Sequence, residues 1–382
     1  MASTTIDPSA PADPDGGAPG QTVAWAYRPY LDGLRALAVY LVVAFHAGAD
    51  RLSGGFIGVD VFFVLSGYLV TSLLLRDLDA GGRIRLGRFY SRRIRRLLPA
   101  AGVNLVVTAL VFRAIAAPAE FAKATGAIRA AALYVSNWWF IRESTDYFGT
   151  DVAASPVAHY WSLSVEEQFY LAWPLLLGAL VLVAGAAGRH RRAALTALVG
   201  VLGVASLALA LVTAAHHPDR AYFGTDTRAY QLLAGAVLAL VPSLVERLRR
   251  SDRAEAALGA VGLLLAGALL VLGTTALHVG PVTRGALAAA ATAGLIVALE
   301  AARGGPARRL LASGGELPGP HLLRHVPVAL DRDRGDPAPA RPRPAPRWRW
   351  PPRWPPPSPP SATRCWSGRS AVRRPSIAGG PS

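Results

Sequence analysis

Two apolar segments lie close together near the start of the chain, YLDGLRALAVYLVVAFH (30–46) and GGFIGVDVFFVLSGYLVTSLLL (54–75). Each approaches the ~20 residues that cross a bilayer as a helix. Each also carries groups that hydrocarbon does not tolerate: Asp32, Arg35 and His46 in the first, Asp60 and Ser66 in or beside the second. A charge held at membrane depth is costly, so such residues mark function by default. The remaining chain is therefore scaffold and partners for these side chains.

Composition agrees with a membrane setting. Of the 382 residues, 52% are hydrophobic and 17% charged, where soluble domains are roughly a quarter charged. Further apolar runs of spanning length follow, which predicts an all-α, polytopic transmembrane helix bundle. The formal charge of +16 raises nucleic acid as a partner. The basic residues, however, lie in short loops between apolar runs or in the C-terminal tail. That is the distribution of the positive-inside rule, so no nucleic acid is expected. The single cysteine, Cys365, excludes an intramolecular disulfide and a cysteine-based metal site. His216, His217 and His278 follow no ligand spacing, and no metal is expected. Residues 1–26 are rich in Pro, Gly, Ala and Ser and read as a disordered tail, without the basic start and apolar core of a signal peptide.

About eight spans are expected, at about 31–49, 56–75, 97–117, 169–187, 193–215, 228–246, 255–276 and 283–301. The segment RDLDAGGRIRLGRFYSRRIRRLLP (76–99) is the most basic before the tail, which places it and the N-terminus on the cytoplasmic side. The run AIRAAALYVSNWWFI (127–141) is apolar but short and ends in the interfacial pair Trp138 and Trp139. If it crossed the bilayer, GRHRR (188–192) would lie outside. If 118–160 is external or re-entrant, then GRHRR, RLRRSDR (247–253) and ARGGPARR (302–309) all lie inside. The second arrangement obeys the rule at every basic loop, so 127–141 is re-entrant or interfacial. Arg35 then lies near the inner side and His46 near the outer side.

Arg35 and His46 are separated by close to three helical turns, so they leave nearly the same face about 16 Å apart. Asp32 precedes Arg35 by a spacing at which side chains meet. An interfacial Asp32–Arg35 ion pair, with His46 at the far interface, is the competing structural account. Ser66 beside Gly67 reads more simply as a packing serine bonded to its own backbone than as a nucleophile. Asp60 enters the second span near the His46 end. Arg88, Arg92, Arg93 and Arg96 suit phosphate oxygens through their bidentate fork, and they suit anionic headgroups as well. His159, Trp161, Ser164, Glu166, Glu167 and Gln168 form one polar cluster, in which a paired acid beside a histidine makes an acid–base set. Ser164 as N-cap with Glu167 three residues on is also a capping box. Asp226 and Arg228 belong to a second cluster.

From about residue 312 the composition changes. The segment 312–382 holds more than half of the chain's 30 prolines, and WRWPPRWPPPSPP (348–360) cannot form a helix in a bilayer. A polyproline ligand, a basic cytoplasmic tail and a translated frameshift are the three readings of this disordered or aberrant tail.

Over about 27–310 the chain resembles the acyltransferase-3 family of integral-membrane O-acyltransferases. The first apolar segment matches that family's signature of Arg, ten residues and His, at Arg35 and His46, and the second matches its second-helix pattern. FYSRRIRRLLP matches its basic motif at Arg92, Arg93 and Arg96. HYWSLSVEEQFYLAWPLL matches the stretch holding Ser164, Glu166, Glu167 and Gln168. YFGTDTRAYQLLAGAVLA matches its Asp-x-Arg helix at Asp226 and Arg228. The family usually has about ten spans and closes on an aromatic-rich Tyr-Leu-Trp-His type sequence that is missing here. No fused SGNH-type esterase domain is visible, so 27–311 is read as a standalone membrane acyltransferase domain.

The resemblance implies an enzyme of the plasma (inner) membrane with no bound cofactor. It would move an acyl group, acetyl in the first instance, from cytoplasmic acyl-CoA to a hydroxyl of an extracytoplasmic glycan, glycolipid or other lipid-linked acceptor. Arg88, Arg92, Arg93 and Arg96 would meet the CoA phosphates. His46 would act as general base for the acceptor hydroxyl or relay the acyl unit. Arg35 would hold the donor or stabilise oxyanion charge. Glu166 would orient His46 or the acceptor, with Asp60 the lesser candidate for that role. His159, Trp161, Ser164, Glu167, Gln168, Asp226 and Arg228 complete the substrate-binding set. The alternatives are a transporter or flippase, which also predicts intramembrane charges but would show inverted repeats, and a truncated, inactive homologue.

Overall fold

The computed structural model describes residues 28–143, 155–186, 188–250 and 252–314. The N-terminal tail and all but the first residues of the C-terminal tail lie outside the described residues. Among the described residues there is helix and no strand. The order is α1 (Pro29–His46), α2 (Gly58–Gly81), α3 (Leu86–Ile115), α4 (Pro118–Ala132), α5 (Ser136–Arg142), α6 (Tyr160–Gly185), α7 (Arg191–Ala214), α8 (Pro218–Phe223), α9 (Thr225–Leu240), α10 (Pro242–Arg249), α11 (Asp252–Leu272), α12 (Pro281–Ala301) and α13 (Pro306–Gly314). The boundary expected at 312 falls inside α13.

Six helices, α2, α3, α6, α7, α11 and α12, are long and apolar enough to cross a membrane. Taken together, α8–α9 and α10 meet the same test, with a bend of 58° between them, as a broken span or a re-entrant loop would. Pro242 opens α10 and lacks the N–H that would continue the hydrogen bonding of α9. The eighth expected span, α1, has 18 residues and is not among these, since Asp32, Arg35 and His46 lower its hydropathy. The chain is a multi-pass membrane protein. The outer helices show why: α3 buries Phe89 alone and exposes Val103, Val106, Val107, Leu110 and Ile115. In water such a stripe is an aggregation liability, whereas in hydrocarbon it is the lipid-facing side.

Three boundaries differ from the sequence expectation. Helix α3 starts at Leu86, so Arg88 to Arg96 ride on its first turns and not on a loop. Helix α6 starts at Tyr160, so Ser164, Glu166, Glu167 and Gln168 lie inside a helix and Ser164 is no N-cap; His159 holds that position without a side-chain cap. The run 127–141 is divided between α4 and α5 at a turn where Tyr134 has φ 54°. Neither piece is long enough to span.

Helix α2 lies at the centre, packed by α1, α6, α9 and α12. Its contact with α9 is very close. A Cβ on Gly67 would strike the carbonyl of Leu232, and one on Gly235 would strike the carbonyl of Val64. Small residues let two membrane helices approach in this way.

Candidate active site

A cavity of about 420 Å³ opens between α1, α2, α3 and α6. Arg28, Arg35, Arg92 and Arg93 ring it, Ser66 and Tyr170 form part of its wall, and leucines with Val70 and Phe89 supply an apolar lining. Three of the arginines expected to bind substrate or donor are thus brought together. Arg35 is held by Asp32 at 2.6 Å. Both side chains are partly exposed, so the pair adds little stability and serves to aim the guanidinium at the cavity edge.

The α6 wall carries a second set of groups. Ser66 and Tyr170 both donate to the Oε1 atom of Glu166, the tyrosine at 2.8 Å. Arg93 lies 3.0 Å from the centroid of the Tyr170 ring and donates to Glu167 at 3.1 Å. A carboxylate bonded to a hydroxyl can take its proton, and a neighbouring guanidinium stabilises developing negative charge. Glu166, expected to orient His46 or the acceptor, thus faces Ser66 and Tyr170. Ser66, read as bonded to its own backbone, is instead a cross-helix donor.

His46 closes α1 at its other end and is exposed. Its Nδ1 is 2.8 Å from the carbonyl of Val42. A carbonyl only accepts, so Nδ1 carries the proton and Nε2 of the neutral ring is left basic. His159 is near: burial first, then the charge of His46, lowers its imidazole below the usual value. The two histidines thus share one end of the bundle.

Asp60, the lesser candidate for orienting His46 or the acceptor, lies in a buried ion pair. It is fully buried and pairs with Arg228 Nη1 at 2.6 Å, and Gln231 donates to it at 2.5 Å. Arg228 Nε donates to the Tyr222 carbonyl at 2.7 Å, and its guanidinium lies 4.4 Å from the Tyr222 ring and 5.3 Å from Trp161. Asp60, Trp161 and Arg228 thus form a buried ion pair with aromatic cover, tying α2 to α9. Asp60 Oδ2, Arg228 Nη2 and Gln231 Oε1 have no hydrogen-bond partner among the described residues.

Ser164, Gln168 and Asp226 bond to neighbouring elements. Ser164 Oγ lies 2.8 Å from Ser136 Oγ and donates to the Tyr160 carbonyl at 2.9 Å. Gln168 donates to the Tyr134 carbonyl at 2.8 Å and to Asn137 at 2.9 Å, and accepts from Trp138 and Thr225. Asp226 takes both Nη atoms of Arg220, at 2.9 and 2.7 Å. Arg88 and Arg96 are exposed on α3. Sequence reasoning passed over Arg28, which donates to Tyr68 at 2.9 Å and to Glu300 at 2.6 Å. The signal was Glu300 itself, a buried acid closing the apolar run of α12. Among the described residues no group of three or more His, Cys, Asp or Glu side chains is placed to hold a metal ion.

A family model described as an acyltransferase domain matches residues 28–317. The chain is 42% identical over 215 residues to the peptidoglycan O-acetyltransferase OatA of Listeria monocytogenes, covering 56% of this chain and 34% of that protein. It is 42% identical over 219 residues to the O-acetyltransferase OatA of Staphylococcus aureus, covering 56% and 35%. The putative peptidoglycan O-acetyltransferase YrhL of Bacillus subtilis is 42% identical over 217 residues, covering 56% and 33%. The match thus spans about a third of the length of these curated relatives. No solved structure matches.

Proposed function

The chain belongs to the acyltransferase-3 family, and on that premise we propose that it moves an acetyl group from acyl-CoA to a hydroxyl of peptidoglycan or a related glycan acceptor across the membrane. The names of the relatives support the acetyl group and the glycan. The observation that carries the donor side is the cavity where Arg35, Arg92 and Arg93 meet Ser66 beside the Glu166 carboxylate. It combines cationic groups for an anionic donor with an apolar wall for its arm, which is the make-up of a small-molecule site.

In this reading the basic α2–α3 end is cytoplasmic by the positive-inside rule, in the plasma membrane, with the N-terminus on the same side. His46 and His159 then stand at the outer end with the acceptor. His46 Nε2 takes the proton of the acceptor hydroxyl as the oxygen adds to the thioester carbonyl. The C–S bond breaks, CoA leaves as thiolate, and the proton passes to it. Arg35 and Arg93 stabilise negative charge on the donor side. Glu166 and Glu167 fix Ser66, Tyr170 and Arg93 in the cavity wall. Ser164, Gln168 and the Asp60–Arg228 and Arg220–Asp226 pairs hold the helices that present these groups, and Trp161 covers the first pair. Arg88 and Arg96 face anionic headgroups.

The test is transfer of radiolabelled acetyl groups from acetyl-CoA to peptidoglycan fragments by membranes carrying the wild type or His46→Ala. Loss of a general base is expected to lower transfer by about a hundredfold or more, with unchanged protein level because His46 is exposed. Equal labelling by the two would overturn the assignment.

A further inference from the structure

A second cavity, of about 480 Å³, lies at the same end of the bundle as the basic α2–α3 turn. Six arginines line it: Arg28, Arg76, Arg192, Arg249, Arg250 and Arg303. They come from the start of α1, the last turns of α2, the start of α7, the end of α10 and the loop after α12, so tertiary folding and not a sequence run assembles them. The bend between α9 and α10 turns Arg249 and Arg250 into this place. Three carboxylates share the lining and each holds one of the arginines: Glu300 takes Arg28 at 2.6 Å, Glu246 takes Arg250 at 2.9 Å and Asp79 takes Arg192 at 3.5 Å. The lining thus carries six guanidinium groups and three carboxylates.

The two cavities meet at Arg28, which lines both. Helix α2 runs from one to the other, with Ser66 on the wall of the first and Arg76 on that of the second. Ten residues of helix separate them by about 15 Å. A molecule with phosphates at one end and a thioester at the end of a flexible arm fills such a pair of chambers. By contrast Arg88 and Arg96, on α3, line neither of the two cavities. That placement suits anionic headgroups better than a donor held in the cavities.

We propose that the chamber of Arg28, Arg76, Arg192, Arg249, Arg250 and Arg303 binds the phosphate groups of the acyl donor, with the arm passing Arg28 into the first cavity. The proposal rests on the acyl-CoA reading above and moves the phosphates away from Arg88 and Arg96. Guanidinium forks are the side chains best matched to phosphate oxygens.

The experiment is equilibrium binding of radiolabelled CoA to the full-length protein in phosphatidylcholine nanodiscs. Pantetheine, which has the arm and no phosphate, serves as a competitor. Arg76→Gln combined with Arg192→Gln is expected to weaken CoA binding at least tenfold, leave pantetheine competition unchanged and be rescued at Arg76 by lysine. Arg88→Gln combined with Arg96→Gln is expected to stay within about threefold of wild type. Unchanged pantetheine binding shows that the variant is folded. If the wild type binds CoA and the chamber variant binds it as tightly, the proposal falls and the acyl-CoA reading stands. If the wild type binds no CoA, both fall. A parallel arm adds phosphatidylglycerol to the discs. Loss of its retention by the chamber variant, with normal CoA binding, would make the chamber a lipid headgroup site and overturn the proposal.

Discussion

The Asp60–Arg228 pair offers a test that separates structure from chemistry. Both side chains are essentially removed from solvent, at 0% and 2% exposure, and meet at 2.6 Å. At that distance the attraction is roughly 6 kcal/mol in an effective dielectric of about 20, and desolvation of both ions takes much of it back. Removing one partner strands the other, which costs about 3–5 kcal/mol. The smaller end of that range applies here, because Asp60 Oδ2 and Arg228 Nη2 are without partners already. Asp60→Ala and Arg228→Ala are each expected to destabilise by about 3 kcal/mol, read by equilibrium unfolding with SDS in mixed micelles. Tryptophan fluorescence is a direct probe, since Trp161 lies 5.3 Å from the guanidinium. The double change Asp60→Leu, Arg228→Met removes both charges at once and is expected to recover most of the loss, as strong coupling between contacting residues requires. Single costs under about 1 kcal/mol, or a double variant that simply sums them, would refute the ion-pair account. If Asp60→Asn lost activity with stability intact, Asp60 would return to the catalytic set.

Three further outcomes follow from the geometry. Gly67→Ala puts a Cβ against the Leu232 carbonyl and is expected to cost about 1–3 kcal/mol by overpacking, in the same unfolding assay; a neutral result would mean that α2 and α9 sit farther apart. His159, lowered by burial and by His46, is expected to titrate below the ordinary value of about 6.5 in histidine NMR. The unfolded chain then binds the extra proton, so stability is full above about 6.5 and falls as pH drops toward the folded value; His46→Gln should move the titration back up, and a value at or above the ordinary one would sink this account. His46→Ala is expected to lower kcat with the CoA dissociation constant within about twofold of wild type, whereas Arg35→Gln raises KM for the donor; a joint loss in His46→Ala would place His46 in the donor cavity.

Helix existence was legible because apolar runs of spanning length have one solution in a bilayer. The Asp32–Arg35 pair was legible because its spacing is local. The start of α6 was not. A run such as SLSVEEQ looks solvated when each side chain is judged alone, yet Ser164 finds Ser136, Gln168 finds Asn137 and Thr225, and Glu166 finds Ser66. These partners lie at least 28 residues away along the chain, and one-dimensional patterns do not encode them. The same reason hid the role of Asp60, whose partner Arg228 is 168 residues distant. Glu300 was the opposite case: a lone acid in an apolar helix was a visible signal that was passed over, and its partner Arg28 lines both cavities.

The vertical order of groups on α1 and α2 constrains the transfer step. A Cβ on Gly58 would strike the Ala38 carbonyl, so the start of α2 lies beside the middle of α1. Ser66, two turns farther along α2, then lies near the level of Leu31, with which it shares the cavity lining. His46 stands at the opposite end of α1, about 16 Å along the axis from Arg35. A donor entering past Arg28 therefore meets Ser66 and Glu166 before it approaches His46. Asp60 stands on α2 between Gly58 and Ser66, and its pair with Arg228 has Trp161 and Tyr222 around it. Transfer between the two levels needs either an arm long enough to carry the thioester to His46 or a hydroxyl that descends to Glu166. With His46 as the base the first applies: a donor anchored near Arg76 spends about 15 Å of its arm in reaching Ser66 and carries the thioester on past it.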